Sequence, residues 1–278
     1  MYAAALSLPV IDHCEDQTLA DGGVMHEGWV STRLGLKGYP AASEESMIAR
    51  DIALARQTGG RVHIAHVSTA GGVGLVRGAK GEGLLVTAEV TPHHLCLTHE
   101  RVMSRPESAV LAYDTNAKMY PPLRDQTDVD ACIAGLVDGT IDAIATDHAP
   151  HAVQDKLCEF DAAANGIVGL ETAFGLVLTN AVGRLGLTLE RVLTALTAGP
   201  VLALGLDRWV EGLGSLAPGA PADIVLLDPD ATWTVDPGKF ASKGRNTPVS
   251  GIDLRGQIVA TIYNGEVVFD HRGAIAHG

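Results

Sequence analysis

The sequence predicts an α/β fold in which a parallel sheet of barrel type is followed by a small β-rich unit. Apolar stretches typical of strands alternate with helical stretches from residue 8 to residue 204. Three of the strand-like stretches lead to His13, His66 and Asp147, which are potential metal ligands. In parallel α/β barrels the C-terminal ends of the strands face the active site, so three such ends suggest a barrel metalloenzyme.

Length and composition limit the classes of protein that the chain can represent. Its 278 residues allow one large domain with a smaller one. A net charge of −13 argues against nucleic acid or an anionic membrane as the main partner, because both attract basic surfaces. No apolar run reaches the ~18 to 20 residues of a membrane span. The four cysteines lack C-x-x-C spacing, so we expect a cytoplasmic protein without a thiolate zinc site.

The first half of the chain predicts three strands separated by two helices. Ser43 is the expected N-cap of a helix that carries apolar residues at helical spacing and stops at Thr58, before two glycines. The other predicted elements are strands over 8–13, 61–67 and 84–90 and a helix near 70–80.

The second half predicts one more buried strand and then a change of architecture. Residues 98–124 are long and irregular, as functional loops often are. After Gly205 the pattern becomes β-like, and Asn264-Gly265 is a strong hairpin signal. The predicted elements are a helix through Val129, Ile133 and Leu136, a strand over 141–146, helices near 169–184 and 188–204, and strands over 222–228 and 257–263.

Repeated placement at strand ends is what distinguishes His13, His66 and Asp147 from isolated polar residues. Neutral imidazole and carboxylate are good ligands for Zn²⁺. Residues two apart share one face of a strand, so His63 is predicted to pack rather than to chelate together with His66. For His93-His94, at the end of the next strand, a supporting role beside the metal and a structural role are both open.

Five stretches of this sequence resemble the amidohydrolases, and within them the bacterial type I dihydroorotases. They are IDHCED (11–16), VHIAHVST (62–69), PPLR (121–124), DGTIDAIATDHAPH (138–151) and NGIVGLETA (165–173). The resemblance implies a partial TIM barrel of the metal-dependent hydrolase type. Residues 1–205 would be its C-terminal half, and residues 206–278 a β-rich accessory domain that forms part of a composite sandwich.

The resemblance also implies a reaction and the residues that carry it. The reaction would be the zinc-dependent, reversible cyclisation of N-carbamoyl-L-aspartate to L-dihydroorotate in pyrimidine biosynthesis. One or two zinc ions would be held by His13, His66 and Asp147, and Asp147 would also carry the proton. Substrate contacts are implied at four positions: Tyr120, His151, Asn165 and Gly166.

This sequence departs from the family pattern at three points. No H-x-H motif precedes His13, although the family has one on its first barrel strand, and the strand-four Asp or Lys ligand is also missing. Tyr120 replaces the usual Asn, and Asn165 replaces the usual Phe. We therefore expect a chain that lacks the N-terminal part of the pattern and is inactive or impaired alone.

Two alternatives remain open from the sequence. The chain could be a non-catalytic dihydroorotase-like subunit that scaffolds aspartate transcarbamoylase, or a cyclic amidase for hydantoin, dihydropyrimidine or allantoin. The expected partners of the chain are a small-molecule substrate, dihydroorotate or N-carbamoyl-L-aspartate, and either a second copy of the chain or aspartate transcarbamoylase.

Overall fold

The computed structural model describes residues 1–103, 113–271 and 273. These residues form the strands β1 (Pro9–Asp12), β2 (Met25–His26), β3 (Gly38–Tyr39), β4 (Arg61–Ile64), β5 (Val86–Val90), β6 (Ala143–Ile144), β7 (Ile224–Thr234), β8 (Asp253–Tyr263) and β9 (Glu266–Asp270). They also form the helices α1 (Tyr2–Ala5), α2 (Gln17–Ala20), α3 (Trp29–Leu34), α4 (Ala41–Thr58), α5 (Ala70–Gly81), α6 (Pro92–Cys96), α7 (Gln126–Val137), α8 (Val153–Lys156), α9 (Ala173–Asn180), α10 (Leu189–Leu196) and α11 (Ala198–Leu204).

A four-stranded parallel sheet organises the first two thirds of the chain. Its strand order, β1-β4-β5-β6, follows the order of the chain, as in a (β/α) barrel and unlike a doubly wound sheet. Ile64 and Ala88 are fully buried in one apolar core with residues of α4, α5 and α7. The predicted α/β fold of barrel type is confirmed.

The helix α4 shows how local sequence sets the boundaries of an element. It ends as predicted at Thr58, because Gly59 adopts the left-handed conformation (φ 64°) that glycine tolerates best. The predicted N-cap at Ser43 is wrong, since the helix begins at Ala41 after Pro40. The Ser43 hydroxyl instead donates a hydrogen bond to the Asp16 carbonyl (2.7 Å) and so ties α4 to the loop after β1.

Several other predicted elements are shorter in the structure than in the sequence pattern, among them the strand over 61–67, which is limited to β4, and the helix near 169–184, which is limited to α9. The strand expected over 141–146 is limited to β6, because the backbone leaves the sheet before Asp147. The helix expected over 188–204 is broken into α10 and α11 at Thr197, whose ψ is −87°. The break places Pro200 in the first turn of a new helix, where a missing N–H costs nothing.

The C-terminal part contains a three-stranded antiparallel sheet in the order β7-β8-β9. The predicted hairpin at Asn264-Gly265 is confirmed, with Tyr263 paired to Glu266 and positive φ at both turn residues. Of the predicted irregular stretch 98–124, residues 104–112 lie outside the described residues. Within the described chain, no helix combines the length and the apolar character needed to cross a membrane.

Candidate active site

The C-terminal edge of the parallel sheet carries the three predicted metal ligands. His13 directly follows β1, His66 lies just beyond β4, and Asp147 lies just beyond β6. His66 and Asp147 have positive φ values, 35° and 44°, which non-glycine residues rarely adopt. Such backbone strain costs free energy, and it is found mostly at functional sites, where the fold must hold a side chain in one direction.

The structure brings two of these ligands into direct contact. Nδ1 of His13 lies 2.9 Å from Nε2 of His66, and the ring centroids are 4.6 Å apart. Burial lowers the pKa of His66, the neighbouring His13 lowers it further, and the Asp147 charge opposes both effects. His66 is therefore held in the neutral form, which is the form that binds metals.

Glu15 and Tyr120 support His13 from the other side. Nε2 of His13 donates to a Glu15 carboxylate oxygen (3.2 Å), and the Tyr120 hydroxyl donates to the second oxygen of the same carboxylate. The Tyr120 ring stacks on the His13 imidazole at 5.7 Å. Burial and the bond to Glu15 raise the pKa of Tyr120, so the phenol stays protonated. We call His13, Glu15, His66, Tyr120 and Asp147 the strand-end cluster.

The chemistry of this cluster fits a zinc ion. In tetrahedral coordination, two imidazole nitrogens at the usual Zn–N distance lie about 3.3 Å apart. The His13 and His66 nitrogens need to separate by only a few tenths of an ångström to reach that distance. The other nitrogen of His66, Nδ1, points away from His13, is buried, and has no hydrogen-bond partner among the described residues, so His66 lacks the kind of support that His13 has. His13 already donates its other N–H to a carboxylate, as metal-bound histidines usually do.

Asp147 is not drawn as close as the two histidines. Among the described residues, two groups of three potential ligands have their atoms within 4.8 Å of one another, and neither group includes the strand-end cluster. The Asp147 carboxylate therefore lies beyond 4.8 Å from at least one of the two histidine nitrogens. It is still close enough to affect the pKa of His66.

The two groups that meet this distance criterion are Asp12–Cys14–Asp51 and His26–Asp125–Asp128. In the first group, Arg50 pairs with both carboxylates, and burial raises the pKa of the thiol far above its usual range. In the second group, burial and, to a smaller extent, the charge of Arg124 lower the pKa of His26 to about 4. Nη1 of Arg124 lies 3.4 Å from Nδ1 of His26. A neighbouring guanidinium opposes a bound cation in both places, so the strand-end cluster remains the better metal site.

Three of the four predicted substrate contacts come together in a second group of residues. Nε2 of His151 donates to the Asn165 carbonyl (2.8 Å). Asn246 links the segments, because its side chain accepts from the His151 N–H (2.9 Å) and donates to the carbonyls of Ala149 and Gly166. The fourth predicted contact, Tyr120, belongs to the strand-end cluster. We call His151, Asn165, Gly166, Asn246 and Lys156 the loop cluster.

Gly166 is required at its position by both conformation and space. Its φ is 143°, which L side chains rarely adopt. A Cβ on Gly166 would lie 2.6 Å from the Ala149 methyl and 2.9 Å from Nε2 of His151. Any side chain here would displace the His151 ring.

A cavity of about 410 Å³ lies beside the loop cluster, within the usual size range of small-molecule sites. Its wall includes His151, Lys156, Asn246, Asn116 and Arg245, and it does not reach His13, His66 or Asp147. Lys156 donates to three carbonyls, those of Thr115, Lys118 and Ala164. Burial, with the Lys118 charge adding to it, lowers the pKa of Lys156 to about 8.

Other histidines are placed by the structure as follows. His63 is buried as predicted, with its ring bonded to Thr87 (2.8 Å) and Glu89 (3.1 Å). His94 is bonded to Thr91 and to the Pro121 carbonyl, which indicates a structural role. His93 is buried, and its Nε2 has no hydrogen-bond partner in the described part of the chain.

Three residues with a role in these clusters were not predicted from the sequence. Glu15 could have been found, because it lies two residues from His13 in a short polar loop. Asn246 and Lys156 gave no local signal, since their partners are distant in sequence.

The chain resembles known proteins over nearly all of its length. The model of the amidohydrolase family matches residues 3–268. The chain is similar to the dihydroorotase of Pelotomaculum thermopropionicum (55% identity, 98% of this chain, 60% of the relative) and to that of Anaeromyxobacter dehalogenans (54%, 97% and 59%). The chain therefore spans about 60% of the length of the curated relatives it matches.

A solved structure extends the comparison to three dimensions. The L-hydantoinase (dihydropyrimidinase) of Arthrobacter aurescens superposes with a TM-score of 0.82 and 28% identity. The match covers 97% of this chain and 58% of that one.

Proposed function

The chain belongs to the amidohydrolase family, and from that premise we propose that it contributes to a zinc-dependent dihydroorotase. The reaction would be the reversible cyclisation of N-carbamoyl-L-aspartate to L-dihydroorotate. The observation that carries the proposal is the facing pair of imidazole nitrogens of His13 and His66, at 2.9 Å on the C-terminal edge of a parallel sheet. The substrate class rests on the 55% identity to a dihydroorotase.

The metal would be held by His13, His66 and Asp147. When bound, zinc supplies Lewis-acid polarisation of a carbonyl and lowers the pKa of a coordinated water. His66 contributes a neutral imidazole because burial lowers its pKa. His13 contributes Nδ1, since its Nε2 proton is used on Glu15.

Asp147 is the proposed proton carrier. It extends from a strained backbone position at the end of β6, beside His66. A carboxylate placed there can take a proton from the attacking water and return it to the ring nitrogen that leaves. The reverse reaction uses the same two transfers in the opposite order.

The loop cluster is proposed to hold the substrate. Nε2 of His151 is occupied by the Asn165 carbonyl, so Nδ1 is the nitrogen available to a ligand. Gly166 lets the backbone approach closely, and the wall of the adjacent cavity contains Arg245 as well as Asp114.

A second candidate is a hydantoinase-like cyclic amidase. The structural likeness to an L-hydantoinase favours it, and so does Tyr120 at a position where dihydroorotases usually have Asn. Both candidates use the same metal cluster and differ only in the ring that is bound.

A substrate panel with controlled metal content tests the proposal. The chain is stripped with a chelator, reloaded with one or two equivalents of zinc, and offered L-dihydroorotate, dihydrouracil, hydantoin and allantoin. Binding is followed by calorimetry and ring opening by absorbance. We expect the zinc-loaded chain to bind dihydroorotate more tightly than the three neutral rings. If a ring is opened, we expect dihydroorotate to be opened fastest. Preference for a neutral ring, or binding of dihydroorotate that is independent of His151, would contradict it.

The four cysteines are free thiols in the structure. This agrees with the proposal that the protein works in the reducing cytoplasm.

A further inference from the structure

The contacts of Tyr120 point to a role different from the substrate contact that the family resemblance implies. We propose that Tyr120 and Glu15 are positioning residues that fix the ring orientation and the tautomer of His13. This inference rests on the proposed function to the extent that His13 is a metal ligand.

The directions of the hydrogen bonds determine which nitrogen of His13 carries the proton. An ionised carboxylate can only accept, so Glu15 takes the Nε2 proton of His13 (3.2 Å). A neutral imidazole with its proton on Nε2 presents a lone pair at Nδ1. Nδ1 is the nitrogen that faces His66 at 2.9 Å. The bond to Glu15 therefore selects the tautomer that binds a cation at the strand ends.

Glu15 is itself held in place by Tyr120. The Tyr120 hydroxyl donates to the carboxylate oxygen that His13 does not use, so both oxygens of Glu15 have a donor. The Glu15 side chain is only 12% exposed. With both oxygens engaged and little water contact, the carboxylate has one preferred orientation.

The ring of Tyr120 contacts His13 directly. It lies nearly parallel to the His13 ring, with 20° between the planes. It also packs edge-to-face against the buried Tyr39, with ring centroids 5.0 Å apart and 78° between the planes. The hydroxyl and the ring of Tyr120 thus both act on His13, one through Glu15 and one directly. A hydroxyl that donates to Glu15 has no proton left to donate to a substrate.

The matched test compares Tyr120→Phe with Tyr263→Phe. The first variant keeps the stacked ring and removes only the hydroxyl. The second removes the hydroxyl of a tyrosine that is 65% exposed on β8, far from the cluster in the chain. Zinc affinity is measured by competition with a chromophoric chelator. The tautomer of His13 is read from ¹⁵N chemical shifts in the zinc-free protein, with assignment by His13→Asn.

We expect Tyr120→Phe to lower zinc affinity by about 10- to 100-fold, as the loss of partners of metal-bound histidines typically does. The His13 signal should shift from the Nε2–H tautomer toward a mixture, and Tyr263→Phe should change neither quantity. Glu15→Gln keeps the size of the side chain and should give the same two changes, which guards against a folding defect in one variant. Unchanged zinc affinity and tautomer in both variants would overturn the proposal.

The outcomes separate this inference from the proposed function. If Tyr120 contacts substrate instead, Tyr120→Phe raises KM and leaves the zinc affinity and the tautomer unchanged, and the positioning role is wrong. If dihydroorotate is not a substrate, the tautomer in the zinc-free protein still shifts, and the positioning role stands without the proposed activity.

Discussion

The strand-end cluster and the loop cluster are held in place in different ways. In the strand-end cluster, side chains bond to side chains: His13 contacts His66 and Glu15, and Glu15 contacts Tyr120. In the loop cluster, the contacts mostly involve the backbone, as in the bonds from His151 and Asn246 to carbonyl groups. One cluster depends on the identity of its side chains, and the other on the path of its loops.

This difference suggests a division of labour. Neutral imidazoles and carboxylates at strand ends provide ligand atoms on a rigid support, as a metal site needs. Loops linked through carbonyl groups define a shape that can accept a small molecule. Substitutions in the first cluster should therefore change metal binding with little effect on folding. Substitutions in the second should change stability and substrate binding together.

The largest effect is expected from His66→Ala. Loss of a metal ligand should lower zinc affinity by more than about 100-fold, above the range for losing a supporting partner. Zinc content after dialysis, measured by elemental analysis, checks this. His271→Ala, a substitution in the C-terminal part, serves as the control. Equal zinc in wild type and His66→Ala would favour a non-catalytic scaffold and would remove the metal role of the strand-end cluster.

The next effect is expected from Asn246→Asp. The Asn246 amide nitrogen donates to two carbonyls, and a carboxylate oxygen would instead face them in a buried position. The free energy of unfolding should fall by about 3 kcal/mol. Urea unfolding measures it, with the exposed Asn180→Asp as the matched control. A loss below that of the control would show that the loop cluster does not depend on Asn246.

Gly166→Ala should give a smaller loss. The positive φ and the close Cβ contacts predict destabilisation of about 2 kcal/mol, together with weaker substrate binding from the displaced His151. Gly78→Ala in α5 is the control, because a Cβ there meets nothing within 4 Å. That control should be neutral or slightly stabilising, since alanine favours helices over glycine. An unchanged free energy of unfolding in Gly166→Ala would show that the backbone at this turn is not crowded.

A pH-dependent effect is expected from Lys156. Burial lowers the pKa of Lys156 to about 8 in the folded state, from 10.5 in the unfolded chain. Between these values the unfolded state binds more protons, so this group makes the protein more stable as the pH rises from 8 toward 10.5. Denaturant titrations at several pH values should show this rise in wild type relative to Lys156→Met. An identical pH profile in both proteins would show that Lys156 is charged when folded.

Much of the strand-end cluster followed from the sequence. Each of His13, His66 and Asp147 comes shortly after an apolar run, and parallel strands bring their C-terminal ends to one edge. The sequence could not give the distance at which side chains meet. The 2.9 Å contact of His13 with His66, and the greater separation of Asp147, depend on the strained backbone beyond β4 and β6.

The wrong boundary predicted for α4 also reflects tertiary contacts that the sequence pattern does not contain. Ser43 has the residue type of an N-cap, yet the helix begins earlier, after Pro40, and the Ser43 hydroxyl donates instead to the distant Asp16 carbonyl. The Asn264-Gly265 hairpin was predicted correctly because its geometry depends only on the turn residues themselves.

The sequence by itself determined the α/β architecture, the position of the β-rich unit and the residues at the strand ends, because each depends on short-range pattern. Only the tertiary structure decided that Tyr120 contacts Glu15 and that Asn246 contacts His151, which are pairs of residues 105 and 95 positions apart. The physical reason is that a hydrogen bond depends on positions to within a few tenths of an ångström. Those positions are set by the packing of the whole chain rather than by local propensity.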